Sequence, residues 1–278
     1  MYRQNAGGFK IIMENSKGKN HKTNTSNSAP IGDDIIFGKN AVIEALITGN
    51  REINKILISK NIHTDVKINK IKELAQQQGI VFQFVAREKF QAYAEFNHQG
   101  IIAQISPIKY LDLDEFIENN TASNSSLVIL DGVEDSHNLG AIIRTCVCAG
   151  VDGIIIPSRR NVQVNSIVEK TSAGAINHIP IIKVNSLVNA VQKLKDNNWW
   201  VIATDASAKD NYYDVKYDDM NFAIIMGAEH AGVSKSLLKA SDFVVKIPMQ
   251  NSFNSLNVSN ALSAIIFEAL RQKLTKNK

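Results

Sequence analysis

The sequence predicts an α/β protein in two parts, the second built on a parallel sheet covered on both faces. From residue 127 onwards, unbroken apolar runs of strand length ("LVILD", "DGIIIP", "FAIIMG") alternate with amphipathic stretches of helical period, the signature of strands buried on both faces by crossover helices. A shorter β–α alternation precedes it over residues 35–106. The chain has 278 residues, 44% of them hydrophobic, enough for two cores.

Taken in order, residues 1–34 form a basic tail. "NSKGKNHKTNTSNSAP" has little apolar periodicity and is expected to be disordered, either an inert extension or a loose RNA tether. Order begins at "IIFGKNAVIEALITG", a helix with Val42, Ala45 and Leu46 at helical spacing and Gly49 as its stop. "INKILIS" is a strand, and "DVKINKIKELAQQQG" an amphipathic helix ending at Gly79. "IVFQFVA" is a strand, "REKFQAYAEF" a helix and "GIIAQISP" a strand, which closes a compact unit over 35–106. Residues 107–126, "PIKYLDLDEFIENNTASNSS", read as a linker holding a short acidic helix.

The second unit spans 127–275. "LVILD", "DGIIIP", "IPIIKV", "WWVIATD", "FAIIMG" and "FVVKIP" are its strands. "LGAIIRTCVCAG", "NSIVEKTSAGA", "SLVNAVQKLKDNN" and "SKSLLKAS" are helices, and a last helix runs from about Val258 towards Lys273.

The formal charge of +4 and pI of about 8.9 permit a nucleic-acid partner without demanding one. Cys146 and Cys148 are two residues apart on a helix, point to different faces and so form neither a disulfide nor a metal pair. There is no apolar run of membrane-spanning length and no signal-type leader, so a cytoplasmic, non-membrane protein is expected. No dinucleotide fingerprint, phosphate loop or nucleophile elbow is present. The histidines make no zinc-type set, so no metal is expected. His137 is a loop residue or local hydrogen-bonder before it is a general base.

Parallel sheets bind ligands beyond the carboxyl ends of their strands. Three polar loops fall there: "DGVEDSHN", "GAEHAG" and "MQNSFNSLN". They offer Arg144, Glu229, amides and hydroxyls, which suit the positioning of polar, anionic ligands better than attack by an activated nucleophile. Asn138 can also be read as an N-cap of its helix, and Ser255 and Asn257 as caps of the last one.

These loops carry a resemblance. "DGVEDSHNLGAIIRTCVCAGVDGIIIP", "IIMGAEHAGVSKSLLKASDFVVKIPM" and "NSLNVSNALSAIIFEALRQ" resemble the three successive motifs of the SpoU branch of the SPOUT methyltransferases. Residues 35–106 are similar to the small L30e-like substrate-binding domain found before it in ribosomal-RNA guanosine 2'-O-methyltransferases of the RlmB/TrmH type. The resemblance implies a deep trefoil knot formed by 222–275, S-adenosylmethionine as cofactor, RNA as partner and a homodimer. It implies that Gly227, Ile247 and Leu256 cup the cofactor through backbone groups, with Thr204 and Met249 lining the same pocket. Asn138, Arg144, Glu229, Ser255 and Asn257 match the family's catalytic positions, and Arg144 is the residue assigned to the ribose 2'-hydroxyl. Two departures stand out: His230 where relatives have Gly, and "QNSFN", with Asn251 and bulky Phe253, where they have a small-residue turn.

Overall fold

The computed structural model describes residues 35–94, 96–250 and 255–276. The basic tail and the turn at Asn251 and Phe253, both singled out in the sequence, lie outside the described residues. The small lobe contains β1 (Ile35–Phe37), α1 (Lys39–Thr48), β2 (Ile53–Ser59), α2 (Val66–Gln77), β3 (Phe82–Val85) and β4 (Ile101–Ile105). Its sheet has the order β1–β4–β2–β3, antiparallel except between β2 and β3. Helix α1 stops where Gly49 turns left-handed at φ 63°, a conformation glycine adopts without steric cost. Helix α2 starts at Asp65, whose side chain accepts from the Ile68 N–H. The Lys39 ammonium, 2.6 Å from Asp65, and that N–H hold the carboxyl below its usual range.

The segment "REKFQAYAEF", expected as a helix, is helical over Arg87–Tyr93, in the tighter 3₁₀ form. Its aromatic residues explain this. Phe90, Tyr93 and Phe96 recur every three residues, the repeat of a 3₁₀ turn. Tyr93 and Phe96 close on Phe37, with ring centroids 5.5 and 4.7 Å away.

Residues 107–126 also depart from expectation, because they do not act as a spacer. Leu111 bridges to Ile182, and the following helix α3 (Leu113–Asn119) buries Leu113 and Phe116 in the core of the large lobe. Apolar residues in a short segment gain most by lying on the nearest sheet.

The large lobe continues with β5 (Ser126–Asp131), α4 (Ser136–Ala149), β6 (Gly153–Pro157), α5 (Ser166–Thr171), β7 (Ile181–Val184), α6 (Leu187–Asp196) and β8 (Trp199–Thr204). It ends with β9 (Asp210–Asn211), β10 (Asn221–Gly227), α7 (Lys235–Ala240), β11 (Phe243–Lys246) and α8 (Val258–Lys276). All pairings are parallel, in the order β7–β6–β5–β10–β8–β11–β9. Alternate residues of β5 serve opposite faces. Val128 and Leu130 pack towards the core of α4, α5 and α8, whereas Leu127 and Ile129 pack towards that of α3, α6 and α7. Burial pushes the Cys146 thiol pKa up, while Cys148 is exposed. Strand β9 escapes the sequence reading because two polar residues show no pattern.

Helix α5 is shorter than expected. It ends at Thr171, and the chain passes through Ala173 at φ 53° and Gly174 at φ 89°. A Cβ on Gly174 would lie 2.6 Å from Glu44 of the small lobe, so contact between the lobes fixes the break. Beside it, the Arg51 guanidinium pairs with Glu169, and both side chains are almost wholly buried. The same guanidinium donates to the Ser106 carbonyl at 2.6 and 2.8 Å. Asn50 donates to the Asn177 carbonyl, and His178 meets Glu44 at 3.0 Å.

Candidate active site

Beyond β5 the chain turns one way across the sheet, to β6 and β7. Beyond β8 and β10 it lies on the other side. The sheet therefore has its topological switch between β5 and β10, where open parallel sheets form their binding crevice. Two adjoining cavities occupy this edge. The first, about 440 Å³, lies between the ends of β5 and β10 and is lined by Asp131, Asn138, Arg160 and Glu229 among others. The second, about 490 Å³, lies over β8, β10 and β11 and the entry to α8. Thr204, Gly227, Ile247, Met249, Ser255 and Leu256 all line it. Residues Ala228–Gly232 and Val258 line both cavities.

That common wall is a tight turn. The Ala228 N–H donates to the Gly232 carbonyl at 3.2 Å, and the Gly232 N–H donates back to the Ala228 carbonyl at 2.9 Å. The returning strand explains Gly227: a Cβ there would sit 2.1 Å from the Gly232 carbonyl carbon. Glu229 and His230 are exposed at the tip, facing both cavities.

Asn257 lines neither cavity, but it stands between Leu256 and Val258, which both line the second. Its carbonyl oxygen Oδ1 accepts from the Ser259 N–H at 3.0 Å, capping α8, and its Nδ2 donates to Asn138 Oδ1 at 2.9 Å. Asn138 itself caps nothing: the N-cap of α4 is Asp135, which accepts from His137 N–H. His137 lies in the first turn of α4, not in a loop, with Nδ1 3.4 Å from Thr171 Oγ1. Thr204 donates its hydroxyl to the Ile225 carbonyl at 3.0 Å. Met249 is 37% exposed and Leu256 44%, unusual for apolar side chains in a cavity wall and suited to contact with a ligand.

Arg144 is not brought to this group. It is exposed on α4 and lines neither cavity. It lies six positions after Asn138, which on a helix is a rotation of roughly 240°. Among the described residues, no cluster of His, Cys, Asp and Glu could hold a metal ion, and no helix is long and apolar enough to cross a membrane.

Two contributors were not singled out in the sequence. Arg160 lines the first cavity from the loop after β6, with a left-handed backbone at φ 58°. Asp205 lines the second from the loop after β8. The strand-end rule that selected three loops applies equally to "SRRN" and "TDAS", and would have found both.

Comparison with known proteins decides the family. The model of the SpoU rRNA methylase family matches residues 125–267. The model described as RNA 2'-O ribose methyltransferase substrate binding matches residues 35–111. The chain belongs to the SpoU family of RNA methyltransferases. A relative from Staphylococcus aureus, assigned by its name to the TrmH family of tRNA/rRNA methyltransferases, is 43% identical over 243 residues, covering 87% of this chain and 97% of its own. Among solved structures, the SpoU methyltransferase AviRb of Streptomyces viridochromogenes, in complex with AdoMet, matches with a TM-score of 0.75 at 21% identity, covering 87% of this chain and 90% of that one. An AdoMet-bound rRNA methyltransferase of Sinorhizobium meliloti matches with a TM-score of 0.72 at 24% identity, covering 85% and 86%. At these identities the two structures speak for the SpoU fold. The wider sheet and the small lobe of the SpoU chain described above both fall within the matched regions.

Proposed function

We propose that this SpoU chain transfers a methyl group from S-adenosylmethionine to a ribose 2'-hydroxyl of RNA, with a guanosine of large-subunit ribosomal RNA as the acceptor. One observation carries the reading: two cavities of ligand size meet at the sheet's switch point and share one wall. A transfer between two bound molecules needs that adjacency, because holding both partners in line removes much of the entropic barrier.

The second cavity fits the cofactor. Met249, Leu256 and Ile247 offer apolar surface for a flat base and the methionyl chain, the backbone around Gly227 and Ile247 offers hydrogen-bonding edges, and Asp205 offers a carboxylate for a ribose or amine. When bound, S-adenosylmethionine supplies a methyl group on a sulfonium, already a strong electrophile. The residues of the chain then have the acceptor to prepare. The bond from Asn257 to Asn138 ties the entry of α8 to the first cavity, and Glu229 and Ser255 present polar groups to the second. The segment 222–275 forms the trefoil knot of the family in this reading, with α8 leaving directly from the cofactor pocket.

Arg144 belongs to the partner subunit's site in this account. It lies on α4, which packs on α8, with Thr145 Oγ1 3.4 Å from Ser263 Oγ. One turn further along α8, Phe267 is 45% exposed, an apolar side chain suited to a homodimer contact. A guanidinium stays protonated, so Arg144 grips the acceptor phosphate and stabilises the developing alkoxide, while that phosphate or water takes the hydroxyl proton and S-adenosylhomocysteine leaves. Arg144→Lys keeps the charge but loses the planar fork, and near-normal turnover in it would refute the bidentate grip. Co-expression of Arg144→Ala with Glu229→Gln chains tests the position: mixed dimers regain activity if Arg144 acts across the interface, and stay inactive if it acts within its own chain.

The small lobe holds the RNA, and the enzyme works in the cytoplasm. Transfer RNA is the rival acceptor, since the relative's name covers both RNA classes. Mapping 2'-O-methyl groups on ribosomal and transfer RNA from cells with and without the protein separates them. Loss of one methyl on a large-subunit guanosine supports the proposal; loss confined to transfer RNA overturns the substrate. Calorimetry with S-adenosylmethionine tests catalysis itself, since no binding would leave a non-catalytic RNA-binding protein.

A further inference from the structure

We propose that the small lobe contains a separate binding pocket for one unstacked nucleotide of the RNA, formed by Arg87, Asn61, Gln91, His98 and Gln99. The proposal rests on the reading that the chain modifies RNA, and it assigns that lobe a defined ligand site away from the methyl-transfer edge.

The pocket is a cavity of about 690 Å³, inside the range of roughly 300–1,000 Å³ typical of small-ligand sites. It lies between the end of β2, the 3₁₀ helix Arg87–Tyr93 and the turn that enters β4. Its lining holds one guanidinium, one imidazole, three side-chain amides and no carboxylate. A guanidinium suits a phosphate, and each amide offers a donor and an acceptor, the combination a base edge requires. The side chains of Arg87, Asn61 and Gln91 have no hydrogen-bond partner among the described residues.

Other groups are already set in place. Gln99 Oε1 accepts from the Lys39 N–H at 3.2 Å, which leaves its amide hydrogens to donate. The turn is left-handed at both Gln99, φ 52°, and Gly100, φ 75°. A Cβ on Gly100 would also come within 3.0 Å of Ile62, so this turn is held in a conformation that most residues avoid. His98 Nδ1 accepts from the Gly100 N–H at 2.9 Å, so the neutral ring carries its proton on Nε2 as a donor. Phe90 packs against that ring with centroids 4.8 Å apart. Burial, and then the charge of Arg87, lower the His98 pKa. The imidazole is therefore a neutral, braced aromatic surface of the kind on which single-stranded bases stack.

A nucleoside monophosphate unit matches this chemistry whether free or within a strand. The surroundings favour the strand. Lys60 and Lys89, adjacent in the chain to Asn61 and to Phe90, are both exposed, and cations beyond the cavity suit a polyanion.

The test uses the full chain with two probes, deproteinised bacterial ribosomal RNA and the four ribonucleoside 5'-monophosphates. The triple variant Asn61→Ala, Arg87→Ala, Gln91→Ala should bind the RNA at least roughly tenfold more weakly, the equivalent of one charge-assisted hydrogen bond. Arg87→Ala alone should flatten the slope of log affinity against log salt by about one. Melting temperature and S-adenosylmethionine affinity should not change in either. Unaltered RNA affinity in the triple variant overturns the pocket. Mononucleotides that compete as tightly as RNA overturn the strand as its ligand. Failure of the wild-type chain to bind S-adenosylmethionine, with the RNA effect intact, would remove the methyltransferase reading and leave the pocket standing.

Discussion

The two lobes present cavities of opposite character. The first cavity of the large lobe is bordered by Asp131, Glu134, Asp135 and Glu229, with Arg160 the one arginine among its described lining residues. Two of those carboxylates are already committed, Asp131 to the Ser234 N–H and Asp135 to the cap of α4. The small-lobe cavity has Arg87 and no carboxylate. A polyanion is held by cations, and its affinity scales with the phosphates neutralised. In the function proposed above, this contrast would divide retention of the strand from work on one ribose.

The sharpest way to break that division is to cut the joint. Arg51→Met leaves Glu169 buried without its main partner, and should cost about 3–5 kcal/mol in urea or thermal unfolding. Replacing both residues by apolar ones should recover most of the loss, and a double variant no more stable than Arg51→Met would refute the pairing as its cause. A smaller effect confined to the large lobe is expected from Gly227→Ala. Overpacking against the returning backbone should cost about 1–3 kcal/mol and abolish S-adenosylmethionine binding in calorimetry, while RNA retention persists. Gly79, at φ 68° with open space around it, is the control: Gly79→Ala should cost only about 1–2 kcal/mol for its left-handed backbone, with cofactor affinity intact.

Asn257 separates cap from contact. Asn257→Ala should lower stability by about 1 kcal/mol through loss of the cap. Asn257→Asp keeps the cap but not the donor to Asn138, so it should melt near the wild type and still transfer methyl groups slowly; full activity would reduce the Asn138 bond to decoration. The smallest effect lies in the small lobe. The Asp65 carboxyl is lowered below its ordinary pKa in the folded state, so its contribution is present above that ordinary value and fades as pH falls through the depressed one. Asp65→Asn should therefore melt slightly below the wild type at pH 7, and the gap should close in acid. A gap that is constant with pH would remove Lys39 as its cause.

The large lobe was far more legible in the sequence than the small one, for a physical reason. Strands buried on both faces show as unbroken apolar runs, and a parallel sheet places its ligands by rule at one edge. Thr204, Gly227 and the run holding Ile247, Met249 and Leu256 are three stretches well apart in sequence, yet they line one cavity. The four-stranded mixed sheet has no such rule, and its cavity went unread. Contacts between lobes were equally hidden: nothing near Arg51 in sequence points to Glu169, 118 positions away. The placement of 107–126 on the sheet failed to show because a polar-looking stretch needs only Leu113 and Phe116 to anchor it. The separation of Arg144 from Asn138 was available from helical arithmetic alone.

The turn Ala228–Gly232 is a partition common to both cavities. A partition cannot move towards one chamber without moving away from the other. Any shift of it that accompanies filling of one cavity therefore alters the affinity of the second, and thermodynamic linkage requires the same factor in the reverse direction. Donor and acceptor would then sense one another through five residues of backbone, and a substitution at His230 would register in the saturation curves of both.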